Sequence, residues 1–417
     1  MTRKIVLKKE KINTTRLSEI ATVIQGQSPE SKFYSESEGM PFLQGNRTFG
    51  NLYPTFDTFT KKITKIAQKG DVLISVRAPV GALNFAPTDL CIGRGLASIR
   101  AKNGNNNFIY YALKYNIHNL TRKGAATTFD SVNRDTINNL ELIIPKKIEE
   151  RYGVAKVLSD LDAKIELNNK INQELEAMAK TLYDYWFVQF DFPTPPSSTS
   201  GIVGKPYKSS GGKMVYNAEL KREIPEGWEV KNLFKSCIVQ YGFPFSTEYF
   251  NSEENGVPVI RIRDILDNTI SNYSTEKNLD EKYLIKKGDL LIGMDGNFHI
   301  NYWSKNECYL NQRVVKLSET ILPNIILKYQ IEPYIKLREK SVSRTTVGHL
   351  SDKDLKALNL FIPSKEVLAS VSPLFNKTLN RIIQTQNENQ QLSALRDWLL
   401  PMLMNGQVAS RASATEE

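Results

Sequence analysis

Apolar positions along the first 145 residues come in short runs broken by Gly, Pro, Asn and Asp. Asp71–Val76, Ala97–Arg100 and Leu140–Ile144 have the length and composition of strands, whereas Asn107–Asn119 and Ile325–Arg338 follow a helical period. After Pro145, and again after Pro363, the pattern changes to a seven-residue alternation. In the first stretch it runs Leu158, Leu161, Ile165, Asn168, Asn172, Leu175, Ala179, Leu182, Trp186; in the second, Phe375, Thr378, Ile382, Thr385, Asn389, Leu392, Arg396, Leu399, Leu403. Each predicts a helix of about 40 residues, roughly 60 Å long, with a narrow seam suited to another helix. Pro373, capped by Ser372, is expected to begin the regular part of the second helix, and Gly406 to stop it.

The chain is written twice. Lys69-Gly-Asp-Val-Leu-Ile74 recurs 218 residues later as Lys287-Gly-Asp-Leu-Leu-Ile292, and the same offset carries Leu140–Pro145 onto Leu358–Pro363. Gly39–Leu43 matches Gly256–Ile260 at 217. Several matches in one order at a steady offset mark a duplicated module, with a period far beyond that of a solenoid. The expected fold class is α+β: two similar globules separated by two long antiparallel helices paired as a coiled coil, related by an internal pseudo-two-fold repeat. The expected boundaries are 1–145 for the first globule, 146–190 for the central helix and 191–220 for a linker. A second globule at 221–363, a C-terminal helix at 364–406 and a tail at 407–417 follow. The linker, rich in Pro, Ser and Gly, is expected to bury little. Asn168 and Asn172 against Thr385 and Asn389 would place polar groups in the seam, which penalises wrong registers. The alternative is that each helix lies on its own globule with the Asn side chains in water.

Charge narrows the partners. The 417 residues hold 55 Lys+Arg and 45 Asp+Glu, a net charge of +10. Residues 1–145 carry 20 basic and 11 acidic groups (+9), residues 221–363 carry 20 and 19 (+1). A basic module joined to neutral ones points to a polyanion, nucleic acid first. Cys91, Cys237 and Cys308 are too few and too scattered for a disulfide framework and suit a reducing cytoplasm. No apolar run approaches the roughly 20 residues that span a bilayer, and the basic start has no signal-peptide pattern, so no membrane partner is expected.

Catalytic chemistry has little to stand on. His118, His299 and His349 lack metal-ligand spacing, no phosphate-binding glycine loop is present, and Gly93-Arg94-Gly95 reads as a tight turn. Glu219-Leu-Lys221 and Glu229-Val-Lys231 have nuclease-like spacing without an acidic partner upstream. DNA-reading side chains are better represented. Gln44, Asn46, Arg47, Arg77 and Arg94 in the first globule can address base edges, as can Arg261, Arg263, Gln312 and Arg313 in the second. Lys61 and Lys62 suit phosphates. Lys123, Thr127, Arg344 and Thr345 lie in segments of small and hydroxyl residues suited to backbone contacts, or equally to ordinary turns. The copies differ most at these polar positions; Arg77 falls opposite Asp295. One scaffold with two different readers would recognise an asymmetric, split target.

The sequence resembles the specificity subunits of type I restriction–modification systems over essentially its whole length. The resemblance rests on Leu17-Ser-Glu-Ile-Ala21, Lys69–Gly81, Ile92–Ala97, Phe190-Asp-Phe-Pro193, Gly204-Lys-Pro-Tyr207, Ile224–Val230 and the paired long helices. It implies two target-recognition domains reading a bipartite double-stranded DNA site, with a spacer set by the helices. It also implies two methyltransferase subunits docked on those helices, and restriction/translocase subunits joining them. No catalytic centre or cofactor is expected in this chain; S-adenosylmethionine, ATP and Mg would belong to the partners. Gly293-Met-Asp-Gly-Asn297 departs from Ser75–Pro79, so a role for Arg77 does not transfer to Asp295. The runner-up is a stand-alone DNA-binding regulator or architectural protein; a nuclease or methyltransferase in its own right lacks the motifs.

Overall fold

The structure, a computed structural model, describes residues 11–125, 132–318, 320–342 and 348–408. The first repeat contains β1 (Ile12–Arg16), α1 (Leu17–Ile20), β2 (Ala21–Gln25), β3 (Tyr34–Ser35), β4 (Met40–Leu43), β5 (Phe59–Thr60) and β6 (Ile66–Ala67). It continues through β7 (Val72–Ser75), β8 (Leu83–Phe85), β9 (Leu90–Ile92), β10 (Leu96–Ala101), α2 (Asn106–Ala125), α3 (Arg134–Asn138) and β11 (Glu141–Pro145) to the 36-residue α4 (Ile148–Tyr183). Three sheets form, in the orders β1-β11, β2-β10-β7-β8 and β3-β5-β4-β9-β6. β7 shows why the sequence folds this way. All four of its residues are buried, and the alternation of a strand sends them to opposite sides. Val72 and Ile74 enter one core with Leu17, Ile99 and Leu113, while Leu73 enters a smaller one with Leu43, Leu90 and Ile92.

A hairpin, β12 (Met214–Asn217) and β13 (Arg222–Pro225), precedes the second repeat. That repeat has β14 (Glu229–Asn232), α5 (Leu233–Ser236), β15 (Ile238–Tyr241), β16 (Phe250–Asn251), β17 (Val257–Ile260), β18 (Asn272–Ser274), β19 (Leu284–Ile285) and β20 (Leu290–Gly293). It ends with β21 (Ile300–Tyr302), β22 (Cys308–Leu310), β23 (Val314–Ser318), α6 (Asn324–Val342), α7 (Asp352–Lys356), β24 (Asn359–Ile362) and the 40-residue α8 (Lys365–Met404). The sheet orders β14-β24, β15-β23-β20-β21 and β16-β18-β17-β22-β19 reproduce those of the first repeat. Register is preserved too: Leu73 faces Ser98 as Leu291 faces Lys316, and Gln25 faces Ala97 as Tyr241 faces Val315.

The chain divides into two compact units, residues 1–167 with 389–417, and residues 168–388. The division falls within both long helices, so each unit holds one repeat and a part of each helix. In the first unit Leu400, Leu403 and Met404 of α8 join Val154, Ala155 and Leu158 of α4 in the main core. In the second, Ala179 and Tyr183 of α4 share a core with Phe375, Leu379 and Ile382 of α8. Cys91, Cys237 and Cys308 are buried free thiols. No described helix is long and apolar enough to cross a membrane.

Two local expectations give way. α8 begins at Lys365, eight residues before Pro373, with Ser364 accepting from the Val367 amide at its start. Pro373 sits exposed inside the helix, where it removes one hydrogen bond, but Val371 and Phe375 on either side are buried and hold the course. Gly406, at φ 64°, follows the helix's last turn. The Pro/Ser/Gly stretch after α4 also buries more than its composition suggests. Phe192 stacks on Tyr207 (4.8 Å) and Trp228 (5.3 Å), and Asp191 accepts from the Ser209 amide and hydroxyl at 2.7 and 2.6 Å. Two aromatic residues suffice to anchor the loop in the second unit's core.

Two expected outcomes follow from this packing. A Cβ at Gly242 would lie 1.9 Å from the Asn311 carbonyl oxygen, so Gly242→Ala should cost about 3 kcal/mol in urea unfolding. Gly45→Ala meets nothing within 4 Å and should stay within about 0.5 kcal/mol of the parent; equal shifts would disprove the close approach. Asp162→Ala would leave buried Arg396 with only the exposed Asp397, 2.9 Å from its Nε, and should cost roughly 3 kcal/mol. Asp162→Leu with Arg396→Ala, the residues at the equivalent positions Leu379 and Ala179, should regain most of that loss in the same measurement.

Candidate nucleic-acid interface

Three connections meet at one end of the sheets in each repeat. In the first, the loop after β4 lies against the β9–β10 turn: Gly93 N donates to Leu43 O at 2.8 Å and Gly95 N to Gln44 O at 3.1 Å. The β7–β8 connection joins through Val76 N to Gly95 O at 2.9 Å. Gly93 and Gly95 are needed for this approach, since a Cβ would fall 2.9 Å from Gln44 Cα and 2.5 Å from Gln44 O. The Ser28 hydroxyl links the elements, accepting from Arg94 N (3.1 Å) and donating to Gln44 Oε1 (2.9 Å). Gln44, Arg94 and, through its neighbour Val76, Arg77 are thereby brought together, all exposed. Asn46 is half-buried in the same loop. Arg47 joins Gln44 and Tyr34 around a cleft of about 130 Å³ and forms a 2.6 Å pair with Asp57, whose carboxyl it holds below its ordinary value.

Lys61 and Lys62 are placed apart from this cluster, beyond β5. They pair with Glu38 (2.5 Å) and Glu30 (3.4 Å), and Lys62 also lies over the Phe33 ring. Hydrogen bonding to lysines, Lys61 at Glu38 and first Lys32 at Glu30, keeps both carboxyls below their usual range. Thr127, Arg344 and Thr345 lie outside the described residues, as does the side chain of Lys123.

The second repeat builds the same junction from other residues. Asn311 N donates to Ile260 O (3.3 Å) and Met294 N to Arg313 O (3.0 Å). Arg261 stands where the first repeat has Gln44. Its Nη1 reaches Asn272 Oδ1 at 3.1 Å, and Arg263 Nη2 reaches the same oxygen at 2.8 Å. Arg313 Nε lies 3.2 Å from Asp295, which also takes His349 Nδ1 at 2.6 Å. Gln312 is exposed between Asn311 and Arg313. A carboxylate with two cationic or polar neighbours thus occupies the place held in the first repeat by Arg77.

The helical seam holds the remaining candidate residues. In the first unit Leu158 and Ile165 are buried, and Leu161, Asn389, Leu392 and Leu399 half-buried. Asp162 accepts there from Arg396 Nη1 and from the Tyr111 hydroxyl, both at 2.6 Å. In the second unit Asn168, Asn172, Ile382 and Thr385 are buried, with Leu175 and Leu182 half-buried. The Thr385 hydroxyl donates to Asn172, and Asn168 Nδ2 donates to Glu388 at 2.9 Å. Asp162, Tyr111 and Glu388 were missed by sequence reasoning. Arg396 at an apolar seam position was the available signal, because a buried guanidinium demands a carboxylate. Asn272 gave no signal, since only the folded loop brings it to Arg261 and Arg263.

Among the described residues no group of three or more His, Cys, Asp and Glu could hold a metal ion. Known proteins match this architecture. The model of the type I restriction modification DNA specificity domain matches residues 9–177 and 225–392. The specificity subunit named for the type I restriction enzyme MjaX of Methanocaldococcus jannaschii is 39% identical over 163 residues, 38% of either chain. That of MjaIX, from the same organism, is 25% identical over 94% of this chain and 92% of its own. The crystal structure of the type I restriction–modification S subunit from M. genitalium shares the fold, with a TM-score of 0.56 at 16% identity over 97% of this chain and 99% of that one. With both repeats matched, the chain belongs to the type I restriction–modification DNA specificity family and carries its domain twice.

Proposed function

We propose that the chain is the DNA-recognition subunit of a type I restriction–modification complex and reads an asymmetric, bipartite double-stranded site. The observation that carries this reading is the paired junction: one sheet order and register, repeated, with unlike residues at equivalent points, Gln44 against Arg261 and Arg77 against Asp295. A fixed framework with variable polar tips suits two modules that each read a different half-site. The turn clusters hold Gln44, Asn46, Arg47, Arg77 and Arg94 in one module and Arg261, Arg263, Gln312 and Arg313 in the other. Lys61, Lys62, Lys123, Thr127, Arg344 and Thr345 are assigned to contacts with the DNA backbone.

The long helices set the gap between half-sites and dock two methyltransferase subunits, to which restriction/translocase subunits add. Exposed apolar residues recur on both helices at the repeat offset of 217, Val157 with Leu374 and Met178 with Leu395. An uncovered pair of equivalent apolar spots suits two copies of one partner. Chemistry then belongs to the partners, which hold S-adenosylmethionine, ATP and Mg, and the complex works in the cytoplasm.

Inserting seven residues into both helices, after Leu167 and after Glu388, adds about 10 Å of rise, close to three base pairs. Methylome sequencing of a host carrying this variant should report unchanged half-sites with a longer gap; altered half-sites would refute the spacer role. Met178→Asp or Leu395→Asp alone should lower the methyltransferase stoichiometry in native mass spectrometry from two to one, and both together should abolish capture. Retention of two copies by the double variant would refute docking at these spots.

A further inference from the structure

The arginines of the second repeat are held in a way that those of the first are not. Arg261 and Arg263 share the side-chain amide oxygen, Oδ1, of Asn272, at 3.1 and 2.8 Å. Arg263 Nε also donates to Ser271 Oγ (3.1 Å), which donates to Asp264 Oδ2 (3.0 Å). Asp264 is buried and also accepts from the Arg261 amide (3.0 Å). Asn272 is itself fixed in β18, opposite Val259 of β17. Two guanidiniums are therefore aimed by a neutral acceptor, on a base anchored in the sheet.

The donors left over form a pattern. Among the described hydrogen bonds Arg261 keeps its Nε–Nη2 edge unengaged, and Arg263 keeps Nη1. A guanidinium edge offers two parallel donors and no acceptor. In the major groove guanine presents two acceptors, O6 and N7, whereas adenine presents one acceptor and one donor. Phosphate would also accept such an edge, but phosphate binding draws on net charge and needs no fixed plane. The second module has almost none of that charge, 20 basic against 19 acidic residues over 221–363. Asp295 offsets Arg313 as well. The first module, at +9 over 1–145, is the one equipped to release counterions.

We propose that Asn272 is a specificity-determining positioning residue, which holds Arg261 and Arg263 so that the second module selects guanine in its half-site. The first module then supplies most of the salt-dependent affinity, and the second supplies discrimination. This inference rests on the reading of the chain as a bipartite DNA-recognition subunit.

The test uses the full chain and a duplex library with two randomised stretches separated by variable gaps, sequenced after selection. Affinities are then measured on the enriched duplex and on a scrambled one across a salt series. The parent should enrich a bipartite site with guanine in one half. Asn272→Ala should lose that guanine preference and bind the enriched duplex on the order of ten- to a hundredfold more weakly. Its scrambled-duplex affinity and salt slope should stay unchanged, as should the other half-site. Asn272→Asp, which keeps an acceptor for both arginines, should restore the preference, and Gln44→Ala should alter only the other half. Retained guanine preference in Asn272→Ala, or equal weakening on both duplexes with a shallower salt slope, would overturn the proposal while leaving the bipartite reading intact. A parent that enriches no bipartite sequence would overturn that reading itself.

Discussion

The structure depends on the antiparallel packing of α4 against α8, because neither repeat closes its core with its own helix alone. The first unit takes Leu400, Leu403 and Met404 from the C-terminal helix; the second takes Ala179 and Tyr183 from the central one. Burying each large apolar side chain is worth roughly 1.5–3 kcal/mol. Three of them thus match a large share of the 5–15 kcal/mol that typically separates a folded domain from its unfolded chain. Helix pairing and globule folding are therefore coupled. A chain that paired its helices wrongly would leave its sheets with open apolar faces.

Polar groups make the pairing selective. Asp162 and Arg396 form a buried pair in the first unit, while the equivalent positions in the second are Leu379 and Ala179. If α4 paired antiparallel with a copy of itself, Asp162 would face Ala179; if α8 did, Arg396 would face Leu379. The first leaves buried Asp162 without its cation, and the second leaves Arg396 with the exposed Asp397 alone; losing the buried counter-charge costs several kcal/mol. The Asn172–Thr385 contact acts alike with neutral groups, since a slip by one turn would set an amide against aliphatic carbon. Such groups add little net stability over well-packed apolar ones. Their effect is to make the intended partner the only one that satisfies them.

What was legible in the sequence follows from how local its cause is. Strand and helix periods, the steady offset between repeats and the heptad seam are each set by neighbouring residues and the regular geometry they adopt. The long helix of Lys365–Met404 was legible in extent but not at Pro373, because the buried Val371 and Phe375 override a local breaker. The Pro/Ser/Gly stretch misled for the opposite reason. Composition averages over the segment, whereas burial is decided by a few residues, Phe192 and Tyr207 with Asp191 and Thr194 beside them. Reader side chains were legible only as candidates. The loop after β4 spans 44–58, 15 residues, and its counterpart after β17 spans 261–271, 11 residues. The offset between copies is lost there, and contacts such as Arg263–Asn272 arise from loop closure.

That loss of correspondence is what steric coupling at the junction produces. Gly26 and Gly242 are retained in both copies because a Cβ would meet backbone, Gly93 O at 2.2 Å in one and Asn311 O at 1.9 Å in the other. Backbone cannot yield, so the position is fixed by the framework. Gly93 and Gly95, by contrast, face the loop that carries Gln44, and where that loop differs they become Asn311 and Arg313. The β9–β10 turn and the loop after β4 must therefore change together: a larger residue in one needs a different path in the other. A single substitution in either is confined by its neighbour. New specificity then arises by exchanging both segments as one block, upon a sheet whose register does not move.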